Sequence, residues 1–138
     1  MRVPGWQQRF VDTLHAWRGC VFEWGRVDCC QFAGAMCFAL TGEDRRARFS
    51  DYDSEISAAL LLAEHGGMQG LLTHAFGESI PAAFAKRGDI VLCEFGSGPQ
   101  PAVVEGAMCC APALTGGLVR RRVIGDPHYP DALMGWSI

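Results

Sequence analysis

The chain has 138 residues, of which seven are cysteine, and a formal net charge of −3 at pH 7. That length suits a single domain, residues 1–138, with enough chain to bury a real core. About half apolar and one-fifth charged, with an acidic balance, it gives nucleic acid no electrostatic footing.

Trp6, Phe10, Leu14 and Trp17 recur every three to four residues and predict an amphipathic helix ended by Gly19. A short connection then reaches Phe22-Glu23-Trp24-Gly25-Arg26-Val27-Asp28-Cys29-Cys30-Gln31-Phe32. Asp28 is a good N-cap for a second helix, whose buried stripe is Phe32, Ala33, Met36, Cys37 and Leu40 and whose stop is Thr41-Gly42. Glu43 to Asp53 is charged and reads as a surface loop. Ser54 caps a third helix with Ile56, Ala59, Leu60 and Ala63 inward, closed by Gly66-Gly67, and Met68 to Phe76 forms a fourth.

After Pro81 the pattern changes to strands: Asp89–Phe95, then a turn at Gly96-Ser97-Gly98-Pro99, then Ala102–Glu105 and Ala107–Ala111. Thr115-Gly116-Gly117 turns the chain into Leu118–Ile124, and Ala132–Ile138 suits a last strand. Helices followed by a meander of strands describe an α+β domain with helices packed on a small antiparallel sheet. Two basic runs, Arg45-Arg46-Ala47-Arg48 and Arg120-Arg121-Arg122, read as solvated faces.

The amino terminus carries Arg2, but Pro4, Gly5 and Gln7-Gln8-Arg9 interrupt any apolar leader, and no window approaches the roughly 20 apolar residues of a membrane span. No membrane insertion is expected. Without a secretory leader the cysteines read as free, buried, small apolar side chains. No CxxC spacing occurs; a metal would have to be gathered in the fold from Cys29 or Cys30, Cys93, and Cys109 or Cys110. The expectation is no metal and no cofactor.

Cys29 stands where chemistry is most plausible. A thiol at the first position of a helix has its thiolate stabilised by free amides and by the helix dipole. Trp24-Gly25 before Asp28-Cys29, followed downstream by Arg87-Gly88-Asp89-Ile90-Val91, resembles the NlpC family of papain-like cysteine peptidases. Members read aromatic-x-Trp-Gly before Asp-Cys, then Gly-Asp-Leu/Val-Val on the first sheet strand. The resemblance implies a papain-like NlpC-type domain in which Cys29 matches the nucleophile.

Other positions depart from that pattern. The family's general-base histidine opens the second strand, yet the matching stretch, Gln100-Pro101-Ala102-Val103-Val104-Glu105-Gly106, has none. The residue orienting that histidine would fall near Cys109 or Cys110, and the tyrosine serving the oxyanion is replaced by Phe22. General-base catalysis is worth about 10²–10⁴-fold, and an oxyanion donor on the order of 10²–10³-fold. His128, in the loop before the last strand, is the one histidine placed to substitute; His65 and His74 read as helix-terminal.

A compact NlpC-like domain without its histidine, ending in Ala132-Leu133-x-x-Trp136-x-Ile138, resembles a group encoded in the tail modules of phages and prophages. The resemblance implies a non-catalytic structural or adaptor subunit of a phage tail, at the tail tip or in tail assembly, with Cys29 a vestigial nucleophile. Its partners would be other tail-tip and hub proteins, with contact to the host cell wall, and its place the virion tail after assembly in the host cytoplasm. Such a subunit should expose apolar area to neighbours, through residues such as Trp136 or Trp6. The alternative is an active cysteine peptidase or amidase that degrades host peptidoglycan during DNA entry.

Overall fold

The helix carrying Cys29 starts where the N-cap pattern places it. In the computed structural model, which describes residues 1–49 and 51–138, Asp28 is extended (φ −141°, ψ −178°) and its carboxylate accepts the Gln31 amide at the head of α2 (Cys29–Thr41). Phe32, Ala33, Met36, Cys37 and Leu40 are fully buried, as the stripe predicts. Each large apolar side chain so buried contributes roughly 1.5–3 kcal/mol. α1 (Trp6–Trp17) lies on α2, with the Trp17 and Phe32 rings 5.1 Å apart and Phe10 turned into the core.

The segment expected to be a surface loop is partly structural. Arg46–Phe49 forms a 3-10 turn that drives Phe49 into the core against Phe76, 5.9 Å between ring centroids. Arg45 and Arg48 are not simply solvated: they donate to the Phe76 and Ala75 carbonyls and fasten the end of α4 (Met68–Phe76). Ser50, within that segment, lies outside the described residues.

α3 (Glu55–Glu64) begins at Ser54 with a capping box to Ser57. Its expected inward face is wrong, however. Leu61 is the buried residue, while Ile56 and Leu60 are 75% and 62% exposed. The segment is apolar nearly all round, so periodicity cannot choose a face, and its main neighbour is α4 rather than the sheet.

The strands are β1 (Ile80–Pro81), β2 (Ile90–Glu94), β3 (Pro99–Val104), β4 (Met108–Pro112), β5 (Leu118–Arg122) and β6 (Met134–Trp136). They form one sheet in the order β1-β6-β2-β3-β4-β5, with every pairing antiparallel. The domain is therefore α+β, helices first. β3 begins earlier than the expected Ala102, taking in Pro99, which reads as a turn residue, and Pro101. They are tolerated because β4 pairs only with Val103 and Val104, leaving the proline half of β3 bonded on one side.

Period-2 alternation divides the sheet. Ile90, Val103, Cys110 and Trp136 face the helices, while Val91, Cys93, Ala102, Val104, Cys109 and Ala111 form a second core on the opposite face. That second face curls on itself. Flat neighbouring strands lie about 4.8 Å apart, so β2 and β4, separated by β3, would be too distant for direct contact. Yet Cys93 Sγ and Cys109 Sγ are 3.5 Å apart, and Arg121 of β5 reaches the Glu94 carbonyl of β2 at 2.8 Å.

Two expectations fail here. Arg121 does not belong to a solvated face: it is 1% exposed and donates to the carbonyls of Arg122, Glu94 and Pro130. Nor is Trp136 available to neighbours, being fully buried among the helix-facing residues. Trp6 is half-buried and covered by the Arg2 guanidinium, 4.2 Å from its ring.

The Gly88-Asp89 pair ties the chain ends together. Asp89, fully buried, accepts from Arg2 Nη2 (3.0 Å), the Lys86 amide (2.7 Å) and the Ile138 amide (3.0 Å). Arg2 Nε also reaches the Ile138 carbonyl.

Candidate functional site

The turn before α2 is built around the Asp28 carboxylate. Besides capping Gln31, it accepts the Gly25 amide at 2.8 Å and the Tyr52 hydroxyl at 2.7 Å, and Asp28 is 2% exposed. Burial, then the Cys30 and Asp28 charges, push the Tyr52 hydroxyl far above the ordinary tyrosine range. It therefore stays a donor. Gly25 sits at φ 82°, and a Cβ there would stand 1.9 Å from the Tyr52 carbonyl oxygen, so glycine is required both by conformation and by space. Glu23 and Val27 pair across this turn.

This turn delivers Cys29 to the junction of the two cores: its half-buried side chain packs against both. It also lines a cavity of about 470 Å³. Phe22 and Trp24, edge-on at 4.9 Å, form one wall, Leu62 and Met68 another, and the β2–β3 turn with the end of β4 the remainder. The next thiol, Cys30, is buried behind it. Its hydrogen bond to Cys29, its burial and the neighbouring charges of Cys29 and Asp28 raise its pKa well above the ordinary thiol value.

The stretch matching the base-bearing strand also reaches this cavity, through Gln100 at the start of β3. An amide there accepts and donates hydrogen bonds but takes up no proton at neutral pH. Among the described residues none of the four histidines lines the cavity. His15 is exposed on α1, and His65 and His74 stack on each other at 4.7 Å. His128 is exposed in a loop organised by Asp126, which accepts the amides of both His128 and Arg122. It is not placed to serve Cys29 as a base.

Cys109 and Cys110, nearest to the expected orienting position, are both buried, and neither lines the cavity. Phe22 contributes a ring and no hydroxyl. Glu55, which no motif marked, contributes an exposed carboxylate at the cavity edge, in the first turn of α3 where its charge complements the helix terminus. The gathering of Cys29 or Cys30 with Cys93 and Cys109 or Cys110 that a metal would need does not occur. Cys93 and Cys109 meet, but among the described residues no three His, Cys, Asp or Glu side chains group as ligands.

The chain belongs to a family described as a domain of unknown function (DUF6950), whose model matches residues 1–126. Comparison with curated protein sequences gives no match.

Proposed function

We propose that this member of the family is a non-catalytic structural or adaptor subunit of a phage tail, acting at the tail tip or in its assembly, on a degenerate papain-like NlpC-type scaffold. The observation that carries the reading is the surroundings of Cys29. The thiol keeps its helix-terminal position and its cavity, while the wall that would hold an imidazole presents Gln100. A helix terminus can favour a thiolate, but it cannot protonate a leaving amine, and that function has no side chain here. The placement in a tail rests on the resemblance of the Trp24-Gly25, Asp28-Cys29 and Gly88-Asp89 motifs and of the carboxyl-terminal segment.

The exposed apolar side chains suit a subunit with neighbours. Val21, Ile56, Leu60, Leu114 and Leu133 are each more than 60% exposed. Partners would be other tail-tip and hub proteins, with the host cell wall as a further contact.

The test compares the wild type with Cys29→Ala. Purified wild-type chain should release no peptide from peptidoglycan, and a phage carrying Cys29→Ala should assemble infectious particles at the wild-type yield. Deletion of the whole chain should give particles with defective tails. Peptidoglycan cleavage abolished by Cys29→Ala would overturn the proposal in favour of an active peptidase or amidase.

A further inference from the structure

We propose that Cys93 and Cys109 are an oxidisable thiol pair, which a hydroperoxide converts into a disulfide fastening β2 to β4 across the curled face of the sheet. The inference does not rest on the reading of Cys29, because the two thiols lie in the second core and do not line the Cys29 cavity.

The geometry is already close to a bond. The sulfurs are 3.5 Å apart, against about 2.0 Å in a disulfide, so they must approach by about 1.5 Å to bond. Most cysteine pairs in a sheet lie on adjacent strands, whereas this one bridges over β3, so it would lock the curl itself. Ala102 lies on the strand between the two thiols' strands and Ala111 further along β4, and Val91, Val104 and Val123 complete that core.

Arg121 distinguishes this pair from buried bystander thiols. It faces Cys109 directly in the β4–β5 register, and its Nη1 binds the carbonyl of Glu94, the residue after Cys93. Its three hydrogen-bond acceptors are neutral carbonyls, and among the described residues no carboxylate forms an ion pair with it. The Asp126 carboxylate lies near enough to feel the Arg121 charge without pairing with it, and the buried guanidinium also favours an anion among its neighbours. The two thiols are also unequal. The hydrogen bond from Cys109, aided by Arg121, lowers the pKa of Cys93 despite its burial, and the same hydrogen bond raises that of Cys109. Cys93, the less deeply buried of the two at 2% exposed against 0% for Cys109, is assigned as the attacking sulfur and Cys109 as the one that resolves the intermediate.

With hydrogen peroxide, the Cys93 thiolate attacks one oxygen and the O–O bond breaks. Hydroxide leaves, takes up the proton released from Cys93, and becomes water, leaving a sulfenic acid on Cys93. The Cys109 sulfur then attacks the Cys93 sulfur. The S–O bond breaks, and the hydroxyl departs as water with the Cys109 proton. Two thiols are oxidised and one peroxide is reduced. The link would join the end of β2 to the start of β4 and so fix the curl between those two strands.

The full reduced chain is treated with hydrogen peroxide, quenched, unfolded in an alkylating reagent, digested and mapped by mass spectrometry. The expected result is a peptide pair joined through Cys93 and Cys109, released by dithiothreitol, lost in Cys93→Ser and in Cys109→Ser, and retained in Cys29→Ser. Recovery of Cys93 and Cys109 as separately alkylated peptides, after Cys29 has been oxidised, overturns the proposal; so does a link from either to another cysteine. If either serine variant fails to fold, the wild-type map decides alone.

Discussion

Asp28 is the residue on which the Asp-Cys motif can be tested as architecture rather than chemistry. Its carboxylate accepts the Gln31 amide, the Gly25 amide and the Tyr52 hydroxyl. Asp28→Ala removes an N-cap, costing about 1 kcal/mol, and leaves the Gly25 amide and the partly buried Tyr52 hydroxyl without their acceptor, costing about 1–3 kcal/mol more. The total, about 2–4 kcal/mol, corresponds to a fall in melting temperature of roughly 6–15 °C for a domain of this size. Asp28→Asn keeps an oxygen for Gln31 but turns an NH₂ towards the Gly25 amide, so an intermediate loss is expected. Tyr52→Phe alone should cost about 1–2 kcal/mol, and much less once Asp28 is alanine, because the hydroxyl is already unpaired there. Urea titrations of the four-member Asp28→Ala/Tyr52→Phe cycle measure this coupling. Additive losses, or an Asp28→Ala cost below about 0.5 kcal/mol, would refute the three-bond account.

Gly25→Ala should prevent folding to a soluble product, since its Cβ would overlap the Tyr52 carbonyl at a positive φ; a wild-type circular dichroism spectrum and melting curve would contradict this. Arg2→Ala should lower stability by about 2–3 kcal/mol, read by denaturant titration, because it strips the cation from an Asp89 carboxylate of which 1% is exposed. In the folded chain, iodoacetamide should modify Cys29 and Cys20, both half-buried, and spare the five buried cysteines, as peptide mapping would report. Hydrogen bonds from the Arg46 side chain and amide hold Asp44 down at about 2. Because the folded value lies below the ordinary one, its small contribution is present above the ordinary aspartate range and lost as pH falls towards 2. A carboxyl NMR titration of Asp44 with a midpoint near 4 would contradict the pairing.

What could be read from the sequence follows from whether the signal was local. α2 was legible because an N-cap, a buried stripe and a glycine stop all lie within one segment. The inward face of α3 was not, since Glu55–Glu64 is apolar nearly all round and its exposure is decided by what packs against it. Arg121 carried a usable signal that its charge concealed: alternation along β5 puts it on the same face as Val123, with Arg120 and Arg122 outward. Tyr52 carried none, because its bond to Asp28 depends on how the loop returns to the turn. The Cys93–Cys109 contact is likewise a consequence of sheet curl, which no residue spacing records.

On the proposed reading the two family-like motifs outlast their catalytic partners, and their hydrogen bonds offer a physical reason. Asp28 satisfies three donors at the head of the central helix, and Asp89 gathers Arg2, Lys86 and Ile138 beside the first long strand. Each is a buried carboxylate whose loss leaves several groups unpaired, so each is costly to replace whatever becomes of the chemistry. A general base has no such anchor. Such a base would face a cavity, bond to little in the resting fold, and be replaceable at small cost in stability. Under that proposal a scaffold losing its chemistry keeps its Trp-Gly, Asp-Cys and Gly-Asp landmarks and loses its histidine first, an order with which the residues of this chain are compatible.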